Sequence, residues 1–210
     1  MVLGRHPAGP NPRQSRESMA ASNPYQEVLT AWKRWAKWAA KTRVPVGVLL
    51  AAGACVLASP TPDSLMAGVP IAIGGLAIRA WAAGHLRKNQ ELAVSGPYAH
   101  VRNPLYVGSL IAALGLAITA AHPVLVIAIA AVFVLWFLPV VGEEEDHIRK
   151  ILPGFREYEA RVPRFVPSLA PRYASREEFE WKLYFVNREY SAALGFGVFL
   201  FVLWVKLMLS

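Results

Sequence analysis

The residues best able to do chemistry lie in two polar stretches, each at the end of an apolar segment. The first, residues 95–108, reads SGPYAHVRNPLYVG and places a histidine, an arginine and two tyrosines among prolines and glycines. A long apolar run begins at Leu105. Irregular backbone at the mouth of a membrane helix leaves N–H and C=O groups free for a ligand, and water can reach it. The sequence therefore predicts a binding site in this stretch.

The second stretch covers residues 143–167 and opens with four consecutive acids, EEED. Acids at the C-terminal end of a predicted helix oppose the helix dipole and repel one another. A solvated acidic turn at the membrane boundary is the simpler interpretation, and the charge pattern alone favours it. The alternative is that one or two of Glu143, Glu144 and Glu145 point inward, towards a cation or hydroxyl groups.

Apolar segments dominate the rest of the chain, and they must hold the two polar stretches together. The 210 residues are 55% hydrophobic and 17% charged, with a mean hydropathy of +0.34. Because the apolar residues are grouped in long blocks, we expect an all-α, polytopic integral membrane protein, with residues 24–210 in one domain. The blocks predict five transmembrane helices, at residues 44–58, 64–83, 105–121, 124–141 and 190–209.

The N-terminal part of the chain precedes these spans. Residues 1–23 are rich in proline, serine, glycine and arginine and contain no apolar run, so we predict that they are disordered. Residues 24–43 predict a helix in which Trp32, Trp35 and Trp38 recur at every third position among basic residues. Such a helix can lie in the interfacial headgroup layer or pack on the protein through its tryptophans, and the pattern leaves both open.

The basic residues define an orientation in the membrane. Eight lysines and arginines precede Val44 and nine lie between Gly142 and Glu189, whereas the links at residues 59–63 and 122–123 contain none. The positive-inside rule places the N-terminus and both polar stretches in the cytoplasm, as in a bacterial inner-membrane protein. The net charge of +8 fits contact with membrane lipids better than nucleic-acid binding, because the basic residues flank apolar spans. With one cysteine and no set of residues at ligand spacing, we expect no metal site.

Four motifs occur in an order that resembles a known group of enzymes. They are GPY at residues 96–98, RNPLYVG at 102–108, EEE at 143–145 and YEARVP at 158–163, with an apolar hairpin between the second and the third. This arrangement is similar to the C-terminal core of the isoprenylcysteine carboxyl methyltransferase and phospholipid methyltransferase families. The resemblance covers residues 92–167.

The resemblance implies a membrane enzyme that transfers a methyl group from S-adenosylmethionine to a lipophilic acceptor that enters from the bilayer. The cofactor would bind in a cytosolic pocket closed by the C-terminal stretch. Motif positions carried over from the family implicate six cofactor-binding residues: Tyr98, Asn103, Tyr106, Glu144, Glu145 and Tyr158. The same resemblance makes Arg102, Arg161 and Glu145 candidate catalytic residues, with the two arginines holding an acceptor carboxylate. Two positions depart from the family pattern, Asn103 in place of a histidine and Phe155 in place of a tyrosine.

The acceptor group decides which further residues the reaction requires. A carboxylate is favoured, such as an isoprenylcysteine-like acid, and it needs only positioning because it is already a nucleophile. An amine or a hydroxyl would need a base, and Glu145 or His147 could serve. Two other functions remain open from the sequence: an NADPH-dependent membrane reductase of a sterol-like substrate, and a non-enzymatic membrane protein that binds lipids.

Overall fold

The computed structural model describes residues 24–173 and 177–209, and these residues form helices and the connections between them. This confirms the predicted all-α class. The disorder predicted for residues 1–23 lies outside the described residues. The helices, in chain order, are α1 (Pro24–Leu57), α2 (Pro62–Ala83), α3 (Pro104–Thr119), α4 (Pro123–Ile151), α5 (Phe155–Arg161), α6 (Trp181–Val186) and α7 (Tyr190–Leu209). A short 3-10 turn, Gly96–Ala99, lies in the link between α2 and α3.

Four of these helices, α1, α2, α4 and α7, are long and apolar enough to cross a membrane. Helix α3 is apolar but has only 16 residues, fewer than the ~20 that usually span a bilayer core. The prediction of a polytopic membrane protein with about five apolar helices is confirmed. The interfacial helix predicted at residues 24–43 is not a separate element, because it continues into the first span as the 34-residue helix α1.

Prolines mark the starts of three helices. Pro62, Pro104 and Pro123 each stand in the first turn of α2, α3 and α4. A missing N–H has no consequence there, and the fixed φ of proline suits a helix start. Thr61 also caps α2, since its hydroxyl accepts from the backbone N–H of Ser64 at 3.1 Å while its own N–H donates to the Ser64 hydroxyl at 2.9 Å. These starts lie within two residues of the predicted ones.

Helices α2 and α3 pack closely through glycines spaced seven residues apart. A Cβ at Gly75 would lie 2.3 Å from the backbone nitrogen of Ala112, so no larger residue fits while the helices keep this separation. Small residues allow such close approach between membrane helices, where van der Waals packing drives association. The four glycines are Gly68 and Gly75 on α2, and Gly108 and Gly115 on α3. The pair forms a rigid base for the link that joins the two helices.

Helix α1 docks on α4 through its tryptophans. Helix α4 contains a π-helical turn at Phe133–Phe137, followed by Pro139. Since proline has no N–H, the carbonyl of Leu135 lacks its ordinary helical donor, and it accepts from Trp35 Nε1 at 2.7 Å. The rings of Trp35 and Trp136 meet edge to face at 5.2 Å. Of the two interpretations of the tryptophan-rich helix, the structure supports packing on the protein at this position.

Buried polar contacts fasten α7 to the other helices. Glu189, just before α7, accepts from Arg79 Nε of α2 at 2.5 Å, and both side chains are largely buried. Near the other end of α7, Lys206 Nζ donates to the carbonyls of Cys55 at 3.0 Å and Ala58 at 2.6 Å. The last carbonyls of a helix have no partner within the helix, so Lys206 supplies donors that the end of α1 needs.

The C-terminal stretch runs along the link between α2 and α3. The backbone N–H of Arg102 donates to the carbonyl of Pro163 at 2.8 Å, and that of Arg172 donates to the carbonyl of Ala99 at 2.7 Å. These bonds pair two segments that lie about sixty residues or more apart in sequence. The two polar stretches of the sequence are therefore in direct contact.

Candidate active site

A polar cavity of about 450 Å³ lies where the link between α2 and α3 meets the C-terminal end of α4 and the start of α5. Its wall carries charges of both signs together with aromatic and aliphatic side chains. Six of the eight residues that the sequence predicted for the site line this cavity: Tyr98, Arg102, Asn103, Tyr106, Glu144 and Tyr158. Small-molecule sites usually enclose ~300–1,000 Å³, so the cavity is large enough for a nucleoside-sized ligand.

The 3-10 turn sets two tyrosines in this wall. Gly96 begins the turn with a φ of +55°, where a Cβ would also lie 2.6 Å from the ring of His85. The hydroxyl of Tyr158 donates to the carbonyl of Tyr98 at 2.8 Å and ties α5 to the turn. Burial raises the pKa of both phenols above their ordinary value. Both tyrosines therefore face the cavity as neutral rings.

A buried carboxylate, Glu145, contacts two residues of the cavity wall, Arg102 and Asn103, on the side away from the cavity. It accepts from Asn103 Nδ2 at 2.8 Å and lies 3.1 Å from Arg164 Nε and 3.7 Å from Arg102 Nε. Its side chain is 8% exposed, and it lines a second polar cavity of about 420 Å³ between α1 and α4. The favoured interpretation of the acidic run as a solvated turn is therefore wrong for Glu145. Glu145 does not line the first cavity, although the sequence predicted that it would bind the cofactor.

Arg102 is a fixed cation shared by the two polar cavities. Its side chain is 14% exposed, and its Nη1 lies 3.4 Å from Glu159 of α5. Glu159 accepts in turn from Arg149 Nη2 at 2.7 Å. The hydrogen bond from Arg149 holds the pKa of Glu159 below its ordinary value, so this carboxylate stays ionised beside the two arginines.

Three side chains from three helices form a closed triangle at the α3 end of the first cavity. The hydroxyl of Tyr106 donates to Glu144 Oε2 at 2.9 Å. Arg43 Nη1, from α1, donates to Glu144 Oε1 and to the Tyr106 hydroxyl, both at 3.0 Å. No motif in the sequence indicated Arg43, which stands 101 residues from Glu144. Its only sequence signal was a basic residue at the start of an apolar span.

An apolar cavity of about 260 Å³ lies next to residues that neighbour this triangle. The ring of Tyr106 meets that of Phe137 edge to face at 5.8 Å, and Phe137 lines the apolar cavity. Ser109, about one turn after Tyr106, and Gly47, one turn after Arg43, line it as well. All of its lining residues are uncharged. Tyr106 and Glu144 of the triangle therefore line the polar cavity, while Ser109 and Phe137, the neighbours of Tyr106, line the apolar one.

Arg161 lines neither the polar cavity nor the apolar cavity. It lies on the solvent face of α5, where it pairs with Glu157 one turn earlier at 2.8 Å and covers the ring of Tyr173 at 5.8 Å. The position gives no geometric basis for the predicted contact with an acceptor carboxylate. Arg164, three residues further along and missed by the sequence analysis, lies against Glu145 instead. In the sequence, Arg164 is visible only as a second basic residue shortly after Arg161, in the segment RVPRF.

The first cavity presents charges of both signs to a ligand. Three glutamates, Glu91, Glu143 and Glu144, line it against two cations, Lys88 and Arg102. The sulfonium and ammonium groups of S-adenosylmethionine would find carboxylates there, and its carboxylate would find an arginine. Two of the three glutamates are paired with arginines that do not line the cavity, Glu91 with Arg87 and Glu144 with Arg43. Lys88 and Glu91 belong to no motif, and the sequence did not indicate them.

Comparison with known proteins finds one matching protein family and two similar proteins that are named for metal resistance. A family profile described as phospholipid methyltransferase matches residues 67–153. The cobalt-zinc-cadmium resistance protein CzcN of Cupriavidus metallidurans is 36% identical over 107 residues, which cover 50% of this chain and 48% of that protein. The nickel-cobalt-cadmium resistance protein NccN of Alcaligenes xylosoxydans xylosoxydans is 30% identical over 163 residues, or 74% of each chain. The match thus spans about half the length of the first relative. No solved structure matches significantly.

Proposed function

This chain belongs to the phospholipid methyltransferase family, and on that premise we propose that it transfers a methyl group from S-adenosylmethionine to a lipophilic acceptor in the membrane. The observation that carries the proposal is the neighbourhood of two cavities: Tyr106 and Glu144 line the polar one, and Phe137, in ring contact with Tyr106, lines the apolar one. The polar cavity has the size and charges for the cofactor, and the apolar cavity suits a hydrocarbon tail. Methyl transfer needs the two ligands side by side, because reacting atoms must approach to about 3–3.5 Å.

The polar cavity offers a partner for each part of the cofactor. Glu143 and Glu144 would attract the positively charged groups, and Arg102 would hold the carboxylate. Tyr98 and Tyr158 would contact the adenine with their neutral rings. When bound, S-adenosylmethionine supplies an electrophilic methyl group: the acceptor atom bonds to the methyl carbon as the carbon–sulfur bond breaks, and the bonding electron pair stays on sulfur.

An acceptor carboxylate fits this site without a general base. A carboxylate is ionised at neutral pH and is itself the nucleophile, so the protein has to position it and exclude water. We assign Glu145 to the positioning of Arg102 and Asn103, since it lies behind the wall. For an amine or hydroxyl acceptor the candidate bases are Glu144 and His147, which line the polar cavity.

Two other functions receive less support. A reductase would have to bind the several phosphates of NADPH with two cations in the wall, Lys88 and Arg102, and Arg102 already lies against Glu145 and Glu159. A protein that merely binds lipid would need the apolar cavity but not the paired charges of the polar one. Neither alternative uses the contact between the two cavities.

The relatives named for metal resistance raise the question of metal binding. Among the residues that the structure describes, no group of three or more His, Cys, Asp and Glu side chains could hold a metal ion. We therefore propose that any part of this chain in metal resistance comes from methylation of a membrane component. Membrane spans and flanking basic residues further support a site on the cytoplasmic side of a bacterial inner membrane.

Calorimetric titration of the detergent-purified full chain tests the proposal. S-adenosylmethionine should bind saturably, and Glu144→Gln should weaken it about tenfold, because one lost charge-assisted contact costs about 1.5 kcal/mol or more. Arg161→Ala, on the solvent face of α5, should bind like the wild type. Binding of NADPH in place of S-adenosylmethionine, or binding of neither, would refute the proposal.

A further inference from the structure

Arg43 lines neither cavity itself, but its neighbours line both of them. Its guanidinium contacts Glu144 and Tyr106, which line the polar cavity. One turn further along α1, Gly47 lines the apolar cavity. The side chain of Arg43 is 34% exposed, so a ligand can reach it. Arg43 thus supplies a cation close to a cavity whose lining residues are all uncharged, on the side where Gly47 lines it.

Arg79 is a second arginine near the apolar cavity, but its existing contacts make it a poor candidate for binding a ligand. It donates to Glu189 at 2.5 Å and to the hydroxyl of Ser109. The Glu189 side chain is 8% exposed, so an Arg79 that turned to a ligand would leave a buried carboxylate without its partner. The partner of Arg43 is different, because Glu144 faces the cofactor cavity.

Glu144 can exchange one cation for another. In this structure it neutralises Arg43 at 3.0 Å. A positively charged ligand in the polar cavity would bring a second cation to the same carboxylate. The charge of Arg43 would then be only partly compensated, and an anion at the polar end of the apolar cavity would complete the pairing. Binding of the cofactor and of an anionic acceptor should therefore favour one another.

The size of the apolar cavity indicates how much of an acceptor tail it can hold. Its lining extends along α3 from Ser109 to Ala117, a rise of about 12 Å that an extended chain of roughly ten carbons would span. An apolar cavity of about 150 Å³ holds benzene, so by proportion this one also has room for roughly ten carbons. Leu125, which is buried at the start of α4, lies in the lining at the end far from Glu144.

From these observations we infer that Arg43 binds the head group of the acceptor, and that the acceptor is a single-chain carboxylic acid with an apolar tail of roughly ten carbons. The inference rests on the proposed function and names the substrate class of the same site. Arg43 exchanges Glu144 for the acceptor carboxylate, and the tail lies between α1 and α3. A two-chain phospholipid would leave most of its hydrocarbon outside this cavity.

The test uses the full chain in a neutral detergent, with decanoate as the probe and decanol as its uncharged counterpart. Calorimetry with S-adenosylhomocysteine present gives the affinities, and formation of methyl decanoate from S-adenosylmethionine gives KM and kcat. Arg43→Gln removes the charge but keeps a hydrogen-bonding side chain, and Arg43→Lys keeps the charge. Lys41→Gln is the matched control, because it removes a charge from an exposed position two residues earlier on α1.

We expect Arg43→Gln to raise KM for decanoate at least tenfold, with a smaller change in kcat, and Arg43→Lys to recover part of this loss. Lys41→Gln should match the wild type. The affinity for decanol should be the same in all four proteins, because decanol has no charge for Arg43 to bind. Among straight-chain acids, kcat/KM should be highest near decanoate and at least tenfold lower for hexadecanoate.

Several results would overturn the inference. Equal losses in Arg43→Gln and Lys41→Gln, or equal losses for decanoate and decanol, would remove the role of Arg43. A higher kcat/KM for hexadecanoate or for a two-chain phospholipid would remove the limit on tail length. If the wild type does not bind S-adenosylmethionine, the proposed function fails as well. If it binds the cofactor but neither binds nor methylates any straight-chain acid, the inference alone fails.

Discussion

The substitution Glu145→Gln removes the charge that holds the wall of the polar cavity together. Glu145 lies 2.8 Å from Asn103 Nδ2 and 3.1 Å from Arg164 Nε. Glutamine keeps the shape of the side chain, but Arg164 loses its partner and Arg102 keeps only Glu159 at 3.4 Å. Breaking a fully buried pair costs about 3–5 kcal/mol. Because Arg164 is 39% exposed and Arg102 keeps a partner, we expect the free energy of unfolding to fall by about 2 kcal/mol.

Thermal unfolding of the purified chain in detergent measures this loss. A change of about 2 kcal/mol corresponds to a midpoint lower by about 4–8 °C for a chain of this length. Glu157→Gln is the matched control, since Glu157 and its partner Arg161 are both 58% exposed and surface pairs contribute little. Equal midpoints for the two variants would refute the reasoning that Glu145 supports the cavity wall.

Three further predictions concern the packing and the charges of the bundle. Gly75→Leu should prevent folding or lower the midpoint strongly, because its side chain would meet the backbone of α3 at 2.3 Å, whereas Gly74→Leu, with no atom within 4 Å, should not. Lys206→Met should lower the free energy of unfolding by about 1–2 kcal/mol in chemical denaturation, since three carbonyls at the end of α1 lose their donor. The hydrogen bond from Arg149 lowers the pKa of Glu159, so its stabilisation is present above the ordinary value of 4.5 and is lost as the pH falls through the folded-state pKa. The midpoint difference between the wild type and Glu159→Gln should therefore shrink on acidification. Equal midpoints for Gly75→Leu and Gly74→Leu would contradict the close packing of α2 on α3. An unchanged free energy of unfolding in Lys206→Met would contradict the role of its hydrogen bonds. A midpoint difference for Glu159→Gln that does not vary with pH would contradict the role of the Arg149–Glu159 pair.

The positions of the helices could be read from the sequence wherever a local signal exists. Pro62, Pro104 and Pro123 start three helices close to the predicted residues, because proline favours the first turn. The continuity of α1 could not be read in this way. Arg43 directly precedes the predicted apolar span and resembles a boundary, yet it lies within α1 and its charge is neutralised by Glu144 of α4.

The motifs indicated which residues gather at the site but not which way each one faces. Glu144 and Glu145 are neighbours in one motif, yet they line different cavities, because consecutive residues of a helix point about 100° apart. The same limit applies to Arg161, which faces solvent although Tyr158, one turn earlier, is buried. Arg43 could not be found from a motif at all, since only the packing of α1 on α4 brings it to Glu144.

Transfer of a deuterated methyl group tests the central claim most directly. The full chain in lipid nanodiscs is incubated with S-adenosylmethionine that carries a trideuteromethyl group, together with straight-chain acids, and the lipid extract is analysed by mass spectrometry. We expect a trideuteromethyl ester of a lipophilic acid, formed by the wild type and strongly reduced in Glu144→Gln. Label that stays on the cofactor with every acid and with the membrane lipids would contradict the assignment of the two cavities to methyl transfer.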